Sequence, residues 1–280
     1  MKFIPFSEFS YWFVITRPTQ YSVFNRDGKY VGIYSCSSDS FYLKNDNYNA
    51  KDIADVVSMN FNRFAFGRPE YLVGLPFSER EDKSGYVDRL CGAKAIQEYA
   101  THKTNPDETI ALYRKQLEWL DGTDFFTAPA STRYHNCIEG GLFSHTKEVY
   151  NCALNLLNCD NFSGVSIPAL TIAALIHDWC KIDLYEKYEA NVFDENLQQW
   201  VKQTKYRHKD SGHPFGHGET SMYLGARVLN IREEEALAVR WHMGKWYTPD
   251  AYNNDLEYAN RVVPLVLLIQ FADALSITDY

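Results

Sequence analysis

From the first residue to about Lys44 the apolar positions come in short, β-like groups: YWFVIT, YSVF and YVGIYS. The last two are separated by Asn25-Arg26-Asp27-Gly28, a hairpin signature, so this region is expected to form a small antiparallel sheet. Residues 50–64 read as a helix. Residues 67–85, with Pro69, Pro76 and the polar run from Ser78 to Gly85, read as connecting loop, which sets a domain boundary at about residue 85. Beyond it the apolar spacing turns helical, and helices are predicted over 86–102, 106–119, 141–157, 166–178, 217–229, 232–242 and 260–276. Start signals support two of them: Ser166 precedes a helix with Pro168 in its first turn, and Asn105 precedes Pro106, Asp107 and Glu108. The expected fold is mainly α, with a helical bundle over 86–280 and a small α+β region containing an antiparallel sheet over 1–85.

Ionisable residues interrupt the apolar faces of these helices, and a buried charge or imidazole is tolerated only when paired, hydrogen-bonded or metal-bound. PALTIAALIHDWC runs without a charge into His177 and Asp178, which on a regular helix project about 100° apart. In NRVVPLVLLIQFADALSI, Asp273 follows an almost wholly apolar stretch and precedes Ala274 and Leu275, so its carboxylate is expected to have little access to water. On the helix from Gly141, a stripe of Leu142, Val149, Cys152, Ala153 and Leu156 includes His145, which is therefore expected to point inward. Any one of these residues alone reads as a satisfied core polar group. Together, from separate apolar helices, they are what a bundle needs to converge imidazoles and carboxylates on a cation.

Composition narrows the partners. At 45% hydrophobic and 23% charged residues, a chain of 280 residues is globular in character. Its net charge of -8 disfavours long duplex nucleic acid, yet a bound cation can reverse the local field and admit a small anion. Pro5 and Glu8 break the apolar N-terminus, and the run from Val262 to Ala272 falls short of the roughly 20 residues a bilayer demands. No membrane association is expected. None of the six cysteines forms a CxxC pair, so reduced thiols in a cytoplasm are expected, with Cys152 and Cys159 as small packing residues. The oligomeric state is left open.

His145, His177-Asp178 and Asp273 reproduce the H...HD...D signature of the HD superfamily of metal-dependent phosphohydrolases. Around them, the stretch 128–150 resembles the first metal-histidine helix and its approach loop in bacterial HD hydrolases, including the HD domains of some 3'-5' exoribonucleases. ALIHDWCK, HPFGHGETS and EEEALAVRWHMG also resemble blocks of an uncharacterised bacterial HD hydrolase group. The resemblance covers roughly residues 105–280 and says nothing about the N-terminal region. It implies a metal set of His145, His177, Asp178 and Asp273, joined by His217 and His242 where two metals are bound. The competing readings are a helix cap for His217 and a charge complementing a helix C-terminus for His242.

The resemblance also implies a phosphate contact from Lys181, three positions after Asp178. Cys180 stands where the family often has glycine, a departure that touches no metal ligand but bears on the loop and on substrate access. Arg133 and His135 precede the first ligand helix and could orient a phosphate. The implied cofactor is one or two divalent ions, with Mn, Fe or Co favoured over Mg or Zn. The implied reaction is attack of a metal-bound hydroxide on a phosphate ester or phosphodiester of a nucleotide or short oligonucleotide, with Asp178 bridging the ions. Two rivals stay open: a di-iron oxygenase on the same ligand framework, and a non-catalytic nucleotide-sensing module.

Overall fold

The computed structural model describes residues 11–17, 20–25, 30–35, 40–43, 73–74, 76–78, 80–102, 104–134, 136–157, 159–162, 164–209 and 215–277. The helix expected over 50–64, Cys36, His135, Asp210 and His213 lie outside them.

The N-terminal segments pair as an antiparallel meander of β1 (Tyr11–Arg17), β2 (Gln20–Asn25), β3 (Tyr30–Ser35) and β4 (Ser40–Leu43), in that order. Trp12 pairs with Phe24 and Ile33 with Tyr42.

The rest is mainly helical. In chain order come α1 (Lys83–His102), α2 (Pro106–Leu117), α3 (Gly141–Leu156) and α4 (Ile167–Ile176). A hairpin of β5 (Tyr185–Asp194) and β6 (Gln199–His208) follows, then α5 (His217–Leu229), α6 (Glu233–Trp241), α7 (Asn253–Val262) and α8 (Pro264–Ser276). The domain boundary expected at 85 falls inside α1. Val73 and Phe77, both buried, already belong to the core of the helical body, and Phe77 N–H donates to Asn151 Oδ1 at 2.6 Å.

α4 is the centre of the bundle. Its sequence IPALTIAALI is apolar on every side, and all ten residues are buried, as a helix without a polar face requires. Ser166 caps it by accepting from Ala169 N–H at 3.3 Å, and Pro168 stands in the first turn, where a missing N–H costs nothing. α1, α3, α6 and α8 pack around it, and α5 lies against α6.

Two predicted helices change. The predicted helix over 166–178 ends at Ile176, and Asp178, at φ -107 and ψ 19, has left helical geometry for a 3-10 turn over Trp179–Lys181. The helix predicted over 260–276 is two helices meeting at 104°, because Pro264 holds Val263 extended at φ -125 and ψ 93 and serves α8 as its first residue. The β5–β6 hairpin was not foreseen at all. Of the two cysteines on α3 and just beyond it, Cys152 packs against the core, whereas Cys159, beyond the helix end, is exposed and is not the packing residue expected. Among the described residues, no single helix is long and apolar enough to cross a membrane.

Candidate metal centre

The last carbonyls of α4 and α6 orient the inner imidazoles. A helix leaves its final C=O groups without intrahelical partners. His177 follows the end of α4 and its Nδ1 donates to Ala174 O at 2.7 Å; His242 follows the end of α6 and its Nδ1 donates to Val239 O at 2.6 Å. Because a carbonyl can only accept, Nδ1 carries the proton in both rings, and Nε2 is the atom turned to the centre. The neighbouring carbonyl, Leu175 O, accepts from Tyr86 OH at 2.8 Å, which in turn accepts from Trp179 Nε1 at 2.7 Å. That chain fixes the turn carrying Asp178.

Glycines bring the other ligands close. Gly140, at φ +75, adopts the left-handed conformation at the start of α3, and a Cβ on Gly141 would stand 1.9 Å from Asn136 O. The approach loop therefore folds tightly onto the helix that carries His145. A Cβ on Gly218 would lie 2.0 Å from Arg240 O, so the first turn of α5 can approach the end of α6 only as glycine, which sets the His217 and His242 rings 5.1 Å apart. Gly218→Ala is expected to lower stability by about 1–3 kcal/mol and to weaken metal binding, read from urea midpoints and metal titration. An unchanged protein would show that this approach is not close in solution.

Asp178, 3% exposed, lies among four imidazoles. Its Oδ2 is 3.4 Å from His145 Nε2 and 3.4 Å from His177 Nε2, while Oδ1 is 3.0 Å from His217 Nε2 and 3.6 Å from His242 Nε2. One oxygen thus faces each pair. His145 Nε2 is also 3.2 Å from Asp273 Oδ1, closing one donor group of His145, His177 and Asp273; a second consists of Asp178, Cys180 and His217. Asp273 is mostly buried, with 18% of its side chain exposed, in line with the little access to water expected of it.

The donors fit a cation. His242 Nε2 is fully buried and makes no hydrogen bond among the described residues, while facing Asp178 Oδ1 at 3.6 Å. Imidazole with carboxylate is a donor set for divalent transition metals. Burial opposes a charge on His145, but hydrogen bonds to Asp178 and Asp273 outweigh it and lift its pKa to about 9. Burial opposes the carboxylate charge of Asp178, and Lys181 and His177 overcome it, holding the group well below its usual range. Burial pushes the His217 pKa down.

A proton on His145 would occupy the place that a cation would take. A cation bound there would have to displace that proton below about pH 9, so affinity should rise from pH 7 toward 9. Manganese or cobalt binding at pH 7 is expected to release protons, measured calorimetrically in buffers of different ionisation enthalpy. Binding without proton release would exclude the protonated ring.

Lys181 does not project into open space. Its Nζ is 2.6 Å from Asp178 Oδ2, and Asp178 raises its pKa against the opposing effect of burial, so it stays cationic. Arg133 is exposed, and no hydrogen bond or ion pair joins it to the cluster among the described residues. Cys180, read from the sequence as clear of the ligands, is buried with Sγ 3.2 Å from His217 Nδ1. Ser221 was also missed: its Oγ accepts from Cys180 N–H at 2.9 Å, and its position one helical turn after His217 was the available signal. Beside His217, a cleft is lined by Arg240, Trp241, Tyr247 and Tyr252, and the Tyr247 ring is 5.4 Å from that of His217. No protein-family model, curated protein or solved structure matches the chain.

Proposed function

We propose that this protein is a divalent-metal-dependent phosphohydrolase of the HD-domain type, cleaving a phosphate ester or phosphodiester of a nucleotide or short oligonucleotide. The observation that carries this reading is the division of Asp178, whose two oxygens face separate histidine pairs, His145 with His177 and His217 with His242. A carboxylate so placed suits a bridge between two ions. Asp273 completes the first half. Held by these residues, divalent ions would supply an acidified water and offset the negative charge of the phosphoryl oxygens.

The chain's own groups account for the rest. The carbonyls of Ala174 and Val239 hold the His177 and His242 rings in register, so little reorganisation is needed on loading. Lys181 keeps a positive charge at the centre, and an ammonium has three N–H donors, of which the Asp178 contact uses one. The remaining donors suit a phosphoryl oxygen. The aromatic cleft beside His217 supports a substrate with a flat group, as a nucleobase is.

Elemental analysis of the purified protein, with release of phosphate or nucleotide assayed over a nucleotide and phosphodiester panel under Mn, Fe, Co and Mg, tests the proposal. Metal-dependent hydrolysis is the expected result. Iron-dependent oxygen consumption without hydrolysis would replace it with the oxygenase reading, and tight nucleotide binding without turnover under every metal would replace it with a sensing role.

A further inference from the structure

The half of the centre nearest α5 contains a donor that an imidazole and carboxylate site does not need. Cys180 Sγ lies 3.2 Å from His217 Nδ1, 3.5 Å from His217 Nε2 and 3.9 Å from Asp178 Oδ1. The thiol, the carboxylate and the imidazole offer ligand atoms within 4.8 Å of one another. His242 Nε2, buried and without a hydrogen bond among the described residues, faces the same Asp178 oxygen at 3.6 Å. That buried nitrogen is an observation independent of the cysteine, and it lies on the same Asp178 oxygen as His217 and the thiol.

The backbone holds these groups ready. Cys180 N–H donates to Ser221 Oγ at 2.9 Å, which ties the 3-10 turn bearing Cys180 to the helix bearing His217. At 6% exposure Cys180 is closed to bulk solvent, so its sulfur is directed at the cluster and not displayed on the surface.

We propose that Cys180 is a ligand to a divalent cation held with Asp178, His217 and His242, making this half of the centre a mixed sulfur, nitrogen and oxygen site for a thiophilic ion. The inference rests on the metal-centre reading and deepens it by assigning different preferences to the two halves. His145, His177, Asp178 and Asp273 offer only nitrogen and oxygen and suit manganese or iron. The Cys180 half, with one thiolate, suits zinc, cobalt(II) or iron(II). On binding, the S–H bond breaks, a sulfur–metal bond forms and the proton leaves to solvent.

Cobalt(II) titration of the metal-free full-length protein provides the test. Wild type should bind two equivalents and develop a thiolate-to-cobalt charge-transfer band in the near ultraviolet. Cys180→Ser and Cys180→Ala should lose the band, keep one equivalent and bind the other about tenfold more weakly or worse, with circular dichroism unchanged. Bound cobalt without the band in wild type, or a band that survives both substitutions, would overturn the assignment to Cys180 while leaving the metal centre standing. Failure of wild type to bind cobalt, zinc or manganese would overturn both.

Discussion

Asp178→Asn is expected to reduce metal content to background and to slow phosphate release by about a hundred- to a thousandfold, roughly 3–4 kcal/mol of transition-state stabilisation. The amide keeps the shape and so isolates the charge. His145, His177, His217 and Lys181 all stand within 3.4 Å of a carboxylate oxygen, and His242 at 3.6 Å. Loss of that charge leaves the Lys181 ammonium and the protonated His145 ring with only Asp273 to offset them, and a cation added to that set meets their repulsion with one anionic donor fewer. The buried ammonium of Lys181 also loses its partner, so the variant's unfolding midpoint should be measured alongside its metal content. A folded Asp178→Asn protein with wild-type metal content and turnover would end the two-ion reading.

Trp179→Ala should cost about 3–5 kcal/mol of stability, the range for emptying the site of a large buried aromatic. The indole is fully buried, donates to Tyr86 OH and meets Trp119 edge to face with ring centroids 5.5 Å apart. At about 2–4 °C per kcal/mol for a chain of this size, the melting temperature should fall by roughly 10 °C. Because Trp179 sits between Asp178 and Cys180, metal affinity should fall with it, whereas Trp179→Phe should keep most of both. A loss under about 1 kcal/mol for the alanine variant would show that the turn does not depend on this anchor.

The sequence made the helices legible where a cap or a break coincided with a change of pattern. Asn105 with Pro106 and Ser166 with Pro168 mark starts that the structure places at Pro106 and Ile167. The end of α4 was not legible, since Asp178 looks as helix-compatible as its neighbours and only the bonds to the last carbonyls reveal the turn. The β5–β6 hairpin escaped because neither of its faces is buried along its length, so no apolar alternation forms. Its pairing instead rests on cross-strand contacts such as Glu186 with Arg207 and Phe193 with Trp200, which cannot be recognised until the register is known. The six candidate ligands singled out from the sequence are brought together by the fold. Cys180 was missed because its proximity to His217 depends on that unforeseen turn.

α4 and α6 both stop at the same point in space, and their terminal carbonyls face inward beside His177 and His242. Each helix end carries a partial negative charge of roughly half an electron. Two helix ends and the carboxylates of Asp178 and Asp273 therefore bring negative potential to the centre, which the Lys181 ammonium and a proton on His145 offset before any ion arrives. On the proposed reading a cation would enter first, in exchange for the His145 proton, and only then would the centre present a net positive field to a phosphorylated molecule. Metal supply would in that case set anion affinity through charge alone, without any moving part.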